Sequence, residues 1–526
     1  MQFEPTRPYF PHWQQLSKGY CCGQVYAAGR WLSAKEVEQQ LERVTDLTTL
    51  RACLAGWNGF FALYWEGPNA TYAVTDIARS IPLFWRVDDG EVTVRDQLSP
   101  QGNTPTRWFS EAVLTQTEFV PGHMTLAFGW QQLQAGEILE IRDGLVYLHE
   151  WFSHRRPAEV ETDEVRLQAE FIQLIKAQTQ RLIDWAAGRP IVVPLSGGYD
   201  SRYLLAALRQ AKYDNLRAFT YGQAGSWEVE LAEKTAAQLG VEWRFVAYNN
   251  HLLRAFWSDD WTAFSDYAGN CVTIPQEQDY FALRALRDDG WLTEDSIICP
   301  GYCGDFQAGS YLPGTYFKLP WRQGTAALQR YLYHQFQRYP ARGTYEFWQP
   351  ILPQQVVQNE HEIVSELEHW VLREYVTKFI VNGVRAYEWV GCQWYLPQWD
   401  RAFIEFWQRV PNSYRQDMRL YRQTLRQAYF VPLGIDFPED RAGDAVKRNP
   451  LAAVLGVATK AFLKGALFAN NAPTNINGLH QLVPQIQQKL GWETIDTSKT
   501  LNEMIGHWYL SRLKSQFTSN DSTTLT

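Results

Sequence analysis

The sequence contains no excess of positive charge and no long apolar run. Its 526 residues include 49 Lys and Arg against 57 Asp and Glu, so the formal net charge is −8. A chain with this balance lacks the basic stripe of a nucleic-acid-binding surface, and we expect no nucleic-acid partner. Because no window reaches the roughly 18 uninterrupted apolar residues that cross a bilayer, the sequence also predicts no membrane span.

Cysteine is scarce, and the first residues show no secretory signal. Met1-Gln2-Phe3-Glu4-Pro5 has no basic cluster followed by an apolar stretch. The seven cysteines, at positions 21, 22, 53, 271, 299, 303 and 392, are odd in number and form no repeated close pairs. This pattern is typical of reduced thiols in a cytoplasmic protein and disfavours a zinc site.

Apolar and aromatic residues are plentiful. They make up 45% and 15% of the chain, with 23 Trp among them. At about 150 residues per domain, the length allows about two to four domains, each with enough apolar residues for a core. This composition excludes disorder as the dominant state.

Residues 20 to 150 read as short alternating runs closed by turn signals. Clear runs cover residues 59–65, 71–75, 91–95 and 137–141. Such spacing is typical of antiparallel sheets and predicts an antiparallel β-sandwich domain over residues 1–155. A polar stretch at 153–159, followed by a helical pattern over 162–187, marks the predicted boundary.

From residue 156 to 518 the chain alternates strands with helices. Strands are predicted over 191–195, 216–221 and 242–246, and helices over 201–210 and 228–239. This alternation predicts an α/β domain, a doubly wound parallel sheet that continues into a helical extension from about residue 320. Ligands of such sheets bind beyond the carboxyl ends of the strands. Residues 519–526 are predicted to be a disordered tail.

A Gly-rich loop, Ser196-Gly-Gly-Tyr-Asp-Ser201, lies between the first of these strands and its helix. Two glycines permit unusual backbone angles and let amide groups approach a ligand. The helix start adds a positive dipole end, so the loop suits a phosphate, to which both serine hydroxyls can donate. Asp200 cannot bind an anion directly and therefore indicates Mg²⁺ bridging to phosphate.

This loop resembles the Ser-Gly-Gly-x-Asp-Ser loop of the asparagine synthetase superfamily. The resemblance implies an ATP-pyrophosphatase domain that uses ATP and Mg²⁺. By the same resemblance, backbone at Tyr221 and Gly222 would flank the adenosine, and Asp305, in the Gly-rich segment 300–306, would be a second metal ligand beside Asp200. The residues expected to contact the nucleotide are Leu195, Ser196, Gly197, Gly198, Asp200, Ser201, Tyr221, Gly222, Gly301 and Gly304.

Segment 387–400 resembles the family's Glu-x-Arg-x-Pro-Phe-Leu-Asp region, with departures. Gln393 stands at the glutamate position and Tyr395 at the arginine position, and a glutamine cannot act as a base. Glu388 is then the catalytic candidate that supplies the charge, although an exposed helical glutamate without a role is the stronger alternative. Lys447 resembles the late lysine that stabilises the family's charged intermediate, with a solvated loop lysine as the alternative.

The amino-terminal segments 57–62, 76–84 and 125–141 resemble strands and the final hairpin of the family's glutaminase domain. A working glutaminase of this class exposes a cysteine as its first residue, next to its own α-amino group. This sequence begins Met1-Gln2, and its earliest thiols are Cys21 and Cys22. We therefore expect a degenerate class II glutaminase-like domain that does not hydrolyse glutamine.

The resemblance as a whole implies an AMP-forming carbon–nitrogen ligase. Such an enzyme adenylates the carboxylate of a small molecule or peptide, releases pyrophosphate, and forms an amide with ammonia or an amine. Sugar acids are one substrate option, and a homodimer is compatible with the family. The first alternative is an intramolecular cyclase similar to β-lactam synthetase or the lasso-peptide cyclase. The second is a degenerate nucleotide-binding scaffold, for which Gln393 is the main support.

Overall fold

The computed structural model describes residues 2–101, 114, 117–157, 161–310, 312, 324–336, 348–357, 359–438, 479–491 and 501–517. Lys447 and the predicted tail at 519–526 lie outside these ranges. In the described part of the chain no helix is both long and apolar enough to cross a bilayer. All seven cysteines are described, and each is a free thiol.

Two β-sheets form the amino-terminal part. One has four strands in the order β1-β8-β7-β9, and the other has seven, with the path β11-β10-β6-β5-β3-β2 and β4 paired to β3. All pairings are antiparallel except that of β1 with β8, which is parallel. The strands are β1 Gln2–Glu4, β2 Trp13–Leu16, β3 Gly19–Ala27, β4 Arg30–Trp31, β5 Asn58–Glu66, β6 Thr71–Thr75, β7 Phe84–Asp88, β8 Glu91–Arg95, β9 Gln131–Gln132, β10 Glu137–Arg142 and β11 Leu145–Glu150.

The two sheets pack face to face, as the alternating pattern predicts. Side chains from both sheets, including Tyr64, Trp85 and Leu139, share one buried cluster. The other face of the seven-stranded sheet is covered by helices α1 (Ala34–Leu41) and α2 (Leu47–Ala55), whose apolar side chains join a second cluster. The predicted hairpin over 125–141 is wrong, because β10 pairs with β6 and β11, while β9 pairs with β7 in the other sheet.

A five-stranded parallel sheet forms the core of the remainder, in the order β14-β13-β12-β15-β16. This confirms the predicted doubly wound sheet. Chain order reverses between β12 and β15, which makes the crevice beyond their carboxyl ends the expected ligand site. The elements are helix α3 Glu164–Ala186, strand β12 Ile191–Pro194, helix α4 Tyr199–Gln210, strand β13 Leu216–Gly222, helix α5 Trp227–Leu239, and strands β14 Glu242–Ala247, β15 Ile297–Ile298 and β16 Gln393–Trp394.

Further helices pack around this sheet and against the amino-terminal sheets. A long helical segment contains a π-helical stretch, Leu372–Ile380, and a 3₁₀ turn, Val381–Gly383, between two α-helices. The described helices are α6 Asn250–Leu253, α7 Asp259–Gly269, α8 Tyr280–Asp288, α9 Gly304–Gln307, α10 Gly324–Phe336, α11 Glu360–Val371, α12 Val384–Trp389, α13 Arg401–Arg409, α14 Asn412–Arg415, α15 Arg419–Leu425, α16 Val483–Lys489 and α17 Leu501–Gln516.

Backbone hydrogen bonds join the amino-terminal part to the loop after α7. Val120 N donates to Val272 O at 2.7 Å, and Leu126 N donates to Cys271 O at 2.8 Å. In the opposite direction, Ile274 N donates to Glu118 O at 3.0 Å. These contacts, together with one apolar cluster that includes residues of both parts, tie the two regions together.

Candidate functional site

The Gly-rich loop, residues 196–201, lies between the end of β12 and the start of α4. Ser196 N donates to Ser201 Oγ at 3.0 Å, and the two hydroxyl oxygens are 3.1 Å apart. Gly198 is the N-cap of α4 and offers no side chain to the amides of the first turn. The loop therefore presents amide and hydroxyl donors together at a helix start, which is an arrangement suited to phosphate oxygens.

The two glycines of this loop do not have unusual backbone angles, and at Gly197 the neighbouring space is restricted. Gly198 has φ −75°, and Gly197 is not among the residues with positive φ, so the conformational reason inferred from the sequence is wrong. A methyl group built on Gly197 would instead lie 2.6 Å from the indole of Trp227. A side chain at position 197 would therefore have to displace that ring.

The second Gly-rich segment, residues 300–306, follows β15 and reaches the same crevice. Asp305 N donates to Asp200 Oδ2 at 3.0 Å, so the two predicted metal ligands are adjacent. A methyl group on Gly301 would lie 2.5 Å from Ser201 N, and one on Gly304 would lie 2.9 Å from the hydroxyl of Tyr421. Gly301 thus allows the two loops to approach each other through their backbones, and Gly304 leaves room for the side chains of Tyr421 and Asp200.

The charges at this contact favour a bound cation. Burial, together with neighbouring Asp305, raises the pKa of the Asp200 carboxyl well above its ordinary range. In the described ranges no group of three or more His, Cys, Asp or Glu side chains could hold a metal ion. Mg²⁺ in nucleotide sites uses one or two carboxylates together with phosphate oxygens and water. The all-oxygen pair of Asp200 and Asp305 fits that requirement.

Two residues that the sequence did not indicate complete the loop's support. The hydroxyl of Tyr421, on α15, donates to Asp200 Oδ1 and fixes the carboxylate. Arg202 is fully buried, and its Nη2 donates to Gly197 O at 2.6 Å. The contact between Tyr421 and Asp200 joins residues 221 apart in sequence, so no local pattern could reveal it.

Tyr221 and Gly222 lie at the carboxyl end of β13, which is next to β12 in the sheet. Their place beside an adenosine stays a prediction. The Tyr221 hydroxyl donates to Asp279 Oδ1 at 2.5 Å, and Tyr302 and Tyr387 donate to Asp279 Oδ2 at 3.2 and 2.7 Å. Burial raises the pKa of the Asp279 carboxyl, and the hydrogen bonds from the three tyrosine hydroxyls partly offset this rise. Leu195 is buried, and its N donates to Phe219 O at 2.8 Å.

The environment of Glu388 differs from one of the two alternatives that the sequence left open. It is fully buried and not an exposed helical glutamate. Its carboxylate forms ion pairs with Arg7 and with Arg385, and it accepts hydrogen bonds from Tyr267 at 2.6 Å and Trp394 at 2.7 Å. These contacts join β16, α7 and α12 to the amino-terminal segment. A catalytic role for Glu388 stays a prediction.

Gln393 and Tyr395, the two departures from the family pattern, both make structural contacts. Arg189 Nη1 donates to Gln393 Oε1 at 2.6 Å. Since Arg189 lies two residues before the first residue of β12, this contact lies at the amino ends of the strands, opposite the Gly-rich loop. Tyr395 is buried among aromatic rings, with Trp185 and Phe60 at centroid distances of 5.5 and 5.3 Å. A catalytic role for Lys447 stays a prediction, because that residue is outside the described ranges.

Three solved structures have limited similarity to the chain. An NH3-dependent NAD synthetase from Campylobacter jejuni in complex with nitrate is 17% identical, with 28% of this chain and 61% of that one covered, at a TM-score of 0.19. Glutamine phosphoribosylpyrophosphate amidotransferase from B. subtilis, complexed with ADP and GMP, is 10% identical over 47% and 75%, at 0.18. The U34-tRNA thiolase NcsA from Methanococcus maripaludis, with its [4Fe-4S] cluster, is 13% identical over 46% and 82%, at 0.19.

The match to the NAD synthetase spans less than two thirds of that enzyme, and at these TM-scores the three likenesses say nothing about function. No curated protein matches the chain. The family model described as asparagine synthase matches residues 173–430, a range that contains α4, the Gly-rich loop, Asp305 and Tyr421. This match supports the assignment of the region to the asparagine synthetase superfamily.

Proposed function

We propose that this protein is an ATP- and Mg²⁺-dependent ligase that adenylates a substrate carboxylate and then forms an amide with ammonia or an amine. The observation that carries the proposal is the contact between Asp200 and Asp305, made by two loops that meet where the parallel sheet reverses its order. The asparagine synthase match over the same region supports it. The substrate is a small-molecule or peptide carboxylate.

The chemistry requires a better leaving group than oxide on the carboxylate. Transfer of AMP provides one, and charge accumulates on the departing pyrophosphate. The amides at the start of α4 and the hydroxyls of Ser196 and Ser201 would hold those phosphate oxygens. Mg²⁺, held by Asp200 and Asp305, would supply positive charge against them. An amine then adds to the activated carbonyl and displaces AMP.

The nitrogen would come from free ammonia, a partner protein or the substrate itself, because the thiols of the amino-terminal part do not suit glutamine hydrolysis. A nucleophilic cysteine must be a thiolate at neutral pH. Burial raises the pKa of Cys21 to about 12, that of Cys53 to about 11, and that of Cys22 well above its ordinary range. Release of glutamate from glutamine by the purified protein, abolished by a thiol blocker, would overturn this part of the proposal.

Exchange of labelled pyrophosphate into ATP, measured across a panel of carboxylates, tests the adenylation step. We expect Mg²⁺-dependent exchange with at least one carboxylate. AMP release that then depends on ammonium indicates an external nitrogen donor, whereas release with one amino acid or peptide alone indicates an intramolecular amine. ATP binding without exchange across a broad panel would contradict adenylation and leave the nucleotide-binding scaffold.

A further inference from the structure

The side chain of Trp227 lies against the Gly-rich loop. Trp227 is the first residue of α5, and its ring carbons Cζ3 and Cε3 would lie 2.6 and 3.2 Å from a methyl group built on Gly197. The indole therefore contacts the glycine backbone with no side chain between them. The residue as a whole is nevertheless 55% exposed, so the side chain is open to solvent beside this contact.

The position of α5 places this exposed ring beside the nucleotide site. The helix begins just beyond the carboxyl end of β13, which lies next to β12 in the sheet. Gly197 belongs to the loop expected to hold the phosphates, and Tyr221 and Gly222 end β13, where the adenosine is expected. The indole thus borders the space into which a nucleoside would extend from phosphates held on the loop.

A flat, rigid and half-exposed aromatic ring has a specific use at such a place. Nucleobases stack on aromatic side chains, and the interaction is tolerant of base identity because every base has a π-face. A tryptophan also loses little conformational freedom when a ligand covers it, since its ring moves about only two torsions. Here the contact with Gly197 restricts the ring on one side and leaves the rest of its surface for a ligand.

We propose that Trp227 is the stacking platform for the base of the bound nucleotide. This inference rests on the proposed function, because it requires that the Gly-rich loop holds the phosphates. Stacking alone does not select adenine, so Trp227 would strengthen the binding of ATP and GTP alike. Any preference for adenine would come from hydrogen bonds made by other groups.

Calorimetric titration with Mg·ATP and with Mg·tripolyphosphate separates the base from the phosphates. We expect Trp227→Ala to weaken ATP binding about tenfold or more, which corresponds to about 1.4 kcal/mol, and to leave tripolyphosphate binding unchanged. Trp227→Phe should retain most of the ATP affinity, whereas Trp227→Leu, which keeps apolar bulk without a π-face, should lose it. Phe128→Ala is the matched control, since Phe128 is 56% exposed in the amino-terminal part, and it should change neither affinity.

The outcomes distinguish this inference from the proposed function. If wild-type protein binds both probes and Trp227→Ala weakens both equally or neither, the stacking role is wrong while the phosphate site stands. If wild-type protein binds neither probe, both proposals fall. The thermal midpoint of each variant is measured in parallel. If Trp227→Ala does not fold, the ATP affinity of Trp227→Leu, compared with that of Trp227→Phe, tests the stacking role instead. Equal ATP affinity in the Leu and Phe variants would overturn the stacking role.

Discussion

Glu388 and the pair of Asp200 and Asp305 have different surroundings. Glu388 and its four partners, Arg7, Arg385, Tyr267 and Trp394, form what we call the Glu388 cluster. Glu388 is fully buried between Arg7 and Arg385, and a tyrosine and a tryptophan complete its hydrogen bonds. Asp200 accepts from the hydroxyl of Tyr421 and the amide of Asp305. Within the described part of the chain, no lysine or arginine pairs with Asp200 or Asp305.

The difference indicates that Glu388 contributes to the fold, whereas Asp200 and Asp305 fit the proposed ligand site. A buried carboxylate that two guanidinium groups neutralise has no need of a cation, and its removal leaves those groups uncompensated. Two adjacent carboxylates without a basic partner repel each other unless one of them takes up a proton or a cation binds between them. The first arrangement connects distant segments of the chain, and the second suits a site that Mg²⁺ and a nucleotide fill.

The largest expected effect follows from removing the charge of Asp200 in the pair of Asp200 and Asp305. Asp200→Asn should lower pyrophosphate exchange at least about a thousandfold, or about 4 kcal/mol, because the cation loses a charged ligand. The same change removes repulsion from Asp305, so the thermal midpoint without Mg²⁺ should stay constant or rise. Exchange assays and thermal unfolding with and without Mg²⁺ measure both effects.

The exposed Asp214 offers a matched control, and Asp214→Asn should leave exchange and thermal midpoint unchanged. A thermal midpoint that falls sharply in Asp200→Asn, together with lost activity, would assign Asp200 to the fold and erase the contrast with Glu388.

A change in the Glu388 cluster should have the opposite result: it should lower the stability of the protein and leave pyrophosphate exchange nearly unchanged. Arg7→Met removes one of the two basic partners of a fully buried carboxylate, and because Arg385 still pairs with Glu388 we expect the cost of one charge-assisted contact, about 1.5 to 3 kcal/mol. We expect a large fall in the urea midpoint, with pyrophosphate exchange of the folded protein kept within about threefold. Adding Glu388→Gln to Arg7→Met should deepen the loss, since the buried guanidinium of Arg385 is then left without its carboxylate.

A urea midpoint that does not change in Arg7→Met would show that the ion pair contributes nothing to stability. Loss of exchange in Glu388→Gln, at an unchanged thermal midpoint, would instead support the catalytic role predicted from the sequence.

A third buried acid, Glu277, gives the most pH-dependent effect, which is the smallest of the three when it is expressed per pH unit. Burial, with a contribution from Glu118, raises its pKa from 4.5 to about 8. The folded state then holds the proton more tightly than the unfolded chain, so the free energy of unfolding falls as pH rises from about 4.5 to 8. The slope reaches at most about 1.4 kcal/mol per pH unit. Glu277→Gln should remove this slope.

Urea unfolding at pH 6 and pH 8.5 tests the effect. The stability gained by Glu277→Gln should be larger at the higher pH, whereas the exposed Glu233→Gln should run parallel to wild type. Parallel curves for Glu277→Gln as well would mean that its carboxyl titrates normally.

Much of the secondary structure could be predicted because its signals are local. The alternating runs at 71–75 and 91–95 coincide with β6 and β8, and the helical pattern over 162–187 matches α3, Glu164–Ala186. The hairpin over 125–141 failed, because strand pairing depends on which partners the sheet offers and not on the run itself. Assigning the glutaminase type of the amino-terminal sandwich requires evidence that strand pattern alone does not provide.

The same distinction between local signals and long-range contacts applies to the candidate site. The Gly-rich loop is a continuous motif of six residues between a strand and a helix. Its residue types and its position can therefore both be recognised from the local sequence. The support of Asp200 by Tyr421, the indole of Trp227 on Gly197, and the enclosure of Glu388 by Arg7 join residues that lie far apart in the chain.

The sequence by itself therefore determined the sheet type and the loop that begins α4, because these depend on short-range periodicity and on local side-chain chemistry. Only the tertiary structure decided which acids meet each other and which meet arginines. That choice is made by packing between distant segments, where burial removes water and each charge is left with the neighbours that the fold supplies.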